Sequence, residues 1–247
     1  MLYEFSSLRR TLRDEGLLAL PRNVLLYFRH IGWALRYFRK RTPQGTSPRE
    51  AIDFTFGPAG KLIEPGQFPS EISQLAALVH QSKPQTIVEI GTKWGGTLAI
   101  WCASANSKAT VVSIDLPGGI HGGGYPGWRA LVYRRFAQPA QKLHLLRMDS
   151  HLASTRDHLK TLLPAAGIDY LFIDGDHTYA GVKQDFEMYS PLVRRGGLVA
   201  FHDICVHSSQ EQCEVDRFWR EIRTQFKSRE FVQNPDQGKY GIGVLEL

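Results

Sequence analysis

TIVEIGTKWGGT, residues 86–97, decides the fold. Ile87, Val88 and Ile90 form a β-branched apolar run that carries the acidic Glu89 and breaks at Gly91. Trp94-Gly95-Gly96 then opens a helical stretch reaching to about Ala105. Open α/β sheets build a cofactor site from this order of strand, glycine turn and helix, because the ligand sits beyond the carboxyl end of the strand and glycines let it touch backbone. The spacing G-x-x-x-G-G is not the G-x-G-x-x-G of dinucleotide folds, so it gives pyrophosphate binding little support.

Four further apolar runs repeat the pattern. VVSID ends at Asp115, about two dozen residues after Gly91, where a carboxylate can take the two hydroxyls of a ribose. LHLLRMDS closes on Asp149-Ser150, DYLFIDGDH on Asp174 and GGLVAFHD on His202-Asp203. Helix-length segments separate the runs, which indicates a parallel sheet whose C-terminal strand ends share one crevice. Each terminal Asp alone could be a helix N-cap.

VEIGTKWGG, SIDLPGG and FIDGDHTYAGVKQDFEMYSPLVRRGGLVAFHDI are the stretches that carry a family likeness. Over residues 65–247 the chain resembles the class I S-adenosylmethionine-dependent methyltransferases. Within them it is similar to the branch of cephalosporin-hydroxylase-like proteins and macrocin-type O-methyltransferases. The resemblance implies an α/β, Rossmann-like fold with a seven-stranded, mostly parallel sheet and a reversed last hairpin. REFVQ (229–233) and YGIGVLEL (240–247), joined across Asn234-Pro235-Asp236 and Gly238, supply that hairpin. It also implies S-adenosylmethionine as cofactor, with Glu89, Gly91, Thr92, Lys93, Gly95, Asp115, Asp149, Ser150 and Asp174 around it.

Metal-dependent O-methyltransferases of this kind end the fourth strand in one carboxylate ligand and the fifth in two more. A base follows three residues after the first ligand. Carried onto this chain, the metal set is Asp174, His202 and Asp203, and the catalytic residues are Asp174 and the base His177. A neutral imidazole titrating near physiological pH suits proton abstraction. His202 departs from the family pattern, which has a carboxylate there. Imidazole is a poor magnesium ligand and a good one for zinc, manganese or iron, so the expected divalent ion, magnesium or manganese, is in doubt, and Asp176 is a spare carboxylate. A zinc site from His202, Asp203, Cys205 and His207 conflicts with the alternation of side chains along an extended segment. The reaction expected is methyl transfer to a hydroxyl of a sugar, glycoconjugate or secondary metabolite. A hydroxylase-type relative with a redox metal, and a non-catalytic methyltransferase-like module recruited by a basic helix, stand beside it.

Composition fits one such domain with an appendage. The chain has 247 residues, enough for a single sizeable core. Its three cysteines, with no signal peptide, suggest a reducing, cytoplasmic setting. Residues 1–50 hold ten Lys/Arg against four Asp/Glu, whereas residues 51–247 hold twenty of each. The basic excess therefore lies in an N-terminal extension (1–50), separate from a methyltransferase domain (51–247). In that extension Val24, Phe28, Ile31, Leu35 and Phe38 follow a helical stripe, and Arg22, Arg29 and Arg36 run beside it. The stripe spans about 22 Å as a helix, short of the ~30 Å hydrocarbon core, so a transmembrane span is excluded. Packing on the domain or on a second copy, giving a homo-oligomer, competes with peripheral contact at the inner membrane face through residues 22–41. No nucleic-acid recognition module is visible. RTPQGTSPRE (41–50) reads as a linker.

Two more segments point at the crevice. LPGGIHGGGYPGWR (116–129) has the glycine content of a loop that orders over a ligand, with His121, Tyr125 and Trp128 facing a sugar-like acceptor. EPGQFPSEISQLAALV (64–79) enters a helix at Ser70, and the family resemblance implies that it lies across the cofactor mouth with Gln67 and Glu71 nearest.

Overall fold

The computed structural model describes residues 20–57, 59–118, 124–208 and 212–247, with side chains from residue 24 onward. The basic residues before Leu20 and the loop residue His121 lie outside the described residues. Seven strands form one sheet in the order β3-β2-β1-β4-β5-β7-β6. They are β1 Thr86–Ile90, β2 Thr110–Ile114, β3 Lys142–Leu146, β4 Ile168–Ile173, β5 Val193–His202, β6 Lys227–Phe231 and β7 Ile242–Glu246. The first five pair in parallel. β7 runs antiparallel between β5 and β6, which is the reversed hairpin expected from the sequence. This is the mostly parallel seven-stranded sheet that the family resemblance implies.

Strand alternation explains the two cores. On β1, Ile87 packs into one hydrophobic cluster and Val88 and Ile90 into the other; on β4, Tyr170 and Phe172 face the first and Leu171 and Ile173 the second. Helices cover both faces. Over the first lie α1 (Leu20–Lys40), α2 (Pro48–Phe56), the short α3 (Gly60–Ile63), α4 (Pro69–Ser82), α5 (Gly96–Ser104) and α6 (Arg129–Tyr133). Over the second lie α7 (Ala153–Leu162), α8 (Tyr179–Tyr189) and α9 (Val215–Ile222).

The N-terminal helix is only half as buried as its stripe suggests. Ala34 and Phe38 are each 1% exposed, and Phe38 meets Phe54 and Phe136 edge-on. Phe28, in the same stripe, is 63% exposed and Trp33 is 51% exposed. The expected linker is short. Ser47 and Glu50 form a reciprocal capping box that starts α2, so the boundary drawn at residue 50 falls inside a helix. Among the described residues, no helix is long and apolar enough to cross a membrane.

Candidate active site

A cleft of about 420 Å³ opens at the carboxyl ends of β1, β2, β4 and β5. Gly91, Thr92, Lys93, Asp115, Asp149, Ser150, Asp174, His177, His202 and Asp203 all line it, so the sequence reading brought most of the site together. The strands deliver these side chains because each ends one residue before, or at, the polar group. β3 is the exception, ending at Leu146, three residues short of Asp149.

Gly91 has a φ of +88°, and a Cβ there would lie 1.8 Å from the carbonyl oxygen of Asp174. Its glycine therefore serves the close crossing of the β1 and β4 loops as well as the left-handed turn. Gly95 does not line the cleft: a Cβ on it would strike the Tyr133 ring at 2.5 Å. The expectation that Gly95 gives a cofactor access to backbone is corrected to a packing role.

Glu89 is likewise placed beneath the cleft floor rather than in its wall. It is fully buried, accepting hydrogen bonds from the Thr92 hydroxyl (2.7 Å) and the Trp101 indole N–H (2.9 Å). Burial pushes its carboxyl up to about 8. Asp115 is better placed. Its Oδ2 accepts the backbone N–H groups of Thr92 (3.1 Å) and Lys93 (2.5 Å), fixing the turn, and burial lifts its pKa to about 6.

On the opposite side lies a knot of carboxylates and imidazoles. His202 Nδ1 is 3.2 Å from Asp174 Oδ1 and 3.3 Å from Asp203 Oδ1. His177 Nε2 is 3.4 Å from Asp174 Oδ1, and its Nδ1 is 3.3 Å from Asp203 Oδ2. His207 Nε2 is 3.1 Å from Asp203 Oδ1. Burial pulls the His177 and His202 imidazoles down, but the two carboxylates outweigh it and hold both above the ordinary value. Burial opposes ionisation of Asp174 and Asp203 too, and the histidines win there, holding both below it. Both ring nitrogens of His177 thus face carboxylates, which strengthen its hold on a proton.

Asp174, His202 and Asp203 offer ligand atoms within 4.8 Å of one another. The buried Nε2 of His202 has no hydrogen-bonding partner among the described residues. Two carboxylates with an imidazole fit zinc, manganese or iron better than magnesium.

Other expectations move. Glu71 is buried and clamps the β6–β7 turn, accepting from the backbone of Gln233 (2.9 Å) and Gly241 (3.1 Å). Glu64, Pro65 and Gly66 line the cleft in place of Gln67 and Glu71. Tyr125 packs on Tyr133 and Trp128 against His30, so both turn to the core rather than to an acceptor. The sequence reading missed His151, a cleft residue whose Nε2 lies 3.4 Å from the fully buried Asp185; that carboxylate lifts the imidazole to about 9. The signal was present. Asp185 shares a helix face with the buried Val182, Phe186 and Tyr189, and an acidic residue there requires a buried partner.

Residues 88–204 match a family model described as a methyltransferase domain. The chain is 29% identical over 171 residues to an uncharacterized protein of Sinorhizobium fredii, covering 68% of this chain and 18% of the relative. It is 34% identical over 119 residues to an uncharacterized protein of Acanthamoeba polyphaga mimivirus, covering 48% of this chain and 51% of that one. The chain thus spans from under a fifth to about half the length of these curated relatives. Among solved structures, an O-methyltransferase from Bacillus cereus in complex with SAH superposes with a TM-score of 0.55 at 17% identity, covering 81% of this chain and 90% of that one. The resemblance to class I methyltransferases is borne out, and at this identity the structural likeness is one of fold.

Proposed function

We propose that this chain is an S-adenosylmethionine-dependent O-methyltransferase whose acceptor is a hydroxyl on a sugar, glycoconjugate or secondary metabolite. One observation carries the reading: a single cleft has the glycine turn and Asp115 on one side and the Asp174–His177–His202–Asp203 knot on the other. S-adenosylmethionine, when bound, supplies an electrophilic methyl group on a sulfonium. Asp115 would hold the ribose, since a carboxylate keeps lone pairs beyond those used by the Thr92 and Lys93 amides. The carboxylates of Asp149 and Asp174 put negative charge along the wall that a cationic cofactor would follow.

His177 and Asp174, 3.4 Å apart, are the pair that would receive and orient the acceptor's proton. Asp174, His202 and Asp203 would hold a divalent ion, whose charge favours the deprotonated form of a nearby hydroxyl.

Calorimetry with S-adenosylhomocysteine tests the cofactor half. Asp115→Ala should weaken binding about ten- to a hundredfold, the loss expected of a charged hydrogen-bonding group. Unchanged affinity sinks the assignment. The chemical half is read by transfer of labelled methyl from S-adenosylmethionine to a panel of hydroxylated acceptors. His177→Ala and Asp174→Asn should each lower turnover about a hundred- to ten-thousandfold while cofactor affinity stays within about threefold. Near-full turnover in both variants would place the proton transfer elsewhere.

A further inference from the structure

Asp203 belongs to two donor sets, and only the first is the divalent-ion set of the function proposed above. Asp203 has a φ of +63°, which breaks the extended run after β5. Cys205 then turns to Gly241, where a Cβ would meet its Sγ at 2.5 Å, while His207 returns to Asp203. Cys213, just before α9, brings its sulfur to the same place: the ligand atoms of His177, Asp203 and Cys213 lie within 4.8 Å of one another. A hydrogen bond from the backbone N–H of Glu214 to the carbonyl of His177 (2.8 Å) holds that segment in position.

His207 stands behind this set: its Nδ1 donates to the carbonyl of Cys205 (2.8 Å), and its Nε2 lies 3.1 Å from Asp203 Oδ1, holding that carboxylate in place. His177 presents Nδ1 to Asp203 Oδ2 at 3.3 Å and turns Nε2 to Asp174, a carboxylate–histidine arrangement. Tetrahedral zinc, with bonds of ~2.0–2.1 Å to nitrogen and oxygen, sets such donors about 3.3 Å apart. A thiolate with an imidazole and a carboxylate is a donor set for zinc and a poor one for magnesium or calcium.

We infer that His177, Asp203 and Cys213 form a zinc site, distinct from the Asp174–His202–Asp203 set and sharing Asp203 with it. The ion ties the β5 exit and the entry to α9 onto the loop after β4. In doing so it fixes the ring through which His177 positions Asp174.

The test is metal content and spectroscopy on the full chain, with no dependence on methyl transfer. Metal-free protein reloaded with zinc alone should take up zinc tightly, as read by competition against a chromophoric chelator. Cys213→Ser and His207→Ala should each weaken that binding at least tenfold, and Asp174→Asn should change it less than threefold. Loaded with cobalt(II), the protein should show a near-ultraviolet thiolate-to-cobalt absorption that Cys213→Ser abolishes. Wild-type zinc affinity in Cys213→Ser, absence of the thiolate band, or zinc lost with Asp174→Asn but kept with Cys213→Ser overturns the site. So does failure of the wild-type chain to bind zinc at all. S-adenosylhomocysteine affinity, measured on the same samples, reports separately on the proposed methyltransferase reading.

Discussion

Glu89 shows how far a residue's type can be read without its surroundings. At the end of an apolar strand before a glycine turn it looks like a cofactor ligand, yet its partners are the Trp101 indole and the Thr92 hydroxyl. Alternation along β1 puts it on the Ile87 face, under α5, and only the packing of that helix decides whether the face is cleft or core. Its carboxyl, raised from 4.5 to about 8 by burial, is neutral at pH 7. The unfolded chain releases this proton first, so the native state's advantage is full below pH 4.5 and is lost as pH rises towards 8. Glu89→Gln should therefore cost less than about 1 kcal/mol at pH 7 and flatten that decline, because Thr92 can turn its hydroxyl to Ser113 (2.6 Å) and accept from the amide. Glu89→Leu strands the buried indole N–H and should cost about 1–3 kcal/mol. Denaturant midpoints from pH 5 to 8 check both, and equal losses in the two variants would refute the neutral carboxyl. Asp115 gives the complementary case. Raised from 3.8 to about 6, it carries its charge above that pH, so cofactor affinity should fall as pH drops through about 6. Asp115→Asn should remove that step; a midpoint near 4 in the wild type would contradict the burial of this carboxylate.

At the scale of elements, periodicity carried most of the fold. Five strands were legible because alternation, β-branched runs and turn residues are local signals, whereas the reversed hairpin came from the family resemblance. The hairpin was offset by two residues: β6 is Lys227–Phe231 where REFVQ was expected. Its register is set by distant partners, including Glu71 on α4, which grips the turn through Gln233, Gln237 and Gly241. Such a clamp has no local signature. The family resemblance implied Glu71 at the cofactor mouth, and its buried carboxylate serves the hairpin instead. A zinc set of His202, Asp203, Cys205 and His207 was set aside on alternation, and the structure does not gather those four, because Cys205 turns to Gly241. Cys213 was out of reach of any spacing rule, since its approach depends on how α9 docks.

At the scale of the whole molecule, charge and packing divide the chain in different places. The basic excess ends near residue 50, but the hydrophobic core begins earlier, at Ala34 and Phe38. Thr42 and Gln44 add side-chain hydrogen bonds to the carbonyls of Arg135 and Ala137, so the turn after α1 is also fastened to the domain. Removing residues 1–45 should leave the seven-stranded sheet, because none of its strands is lost. It should not leave the stability unchanged. Loss of the Phe38 contacts alone is worth about 3–5 kcal/mol, which for a domain of this size lowers Tm by roughly 10 °C. The outward face of α1 bears Leu25, Phe28 and Trp33 at 60, 63 and 51% exposure beside Arg29 and Arg36. A basic, apolar face of this kind leads us to expect retention of the full-length chain on anionic vesicles, weakening as salt rises, and its loss on truncation. Thermal unfolding and vesicle co-sedimentation of the two proteins, with their solution masses, separate the roles. An unchanged Tm would make α1 a bystander to the core, and an unfolded truncation would make it a core element. A full-length dimer indifferent to anionic vesicles would give the exposed face to a second copy of the chain.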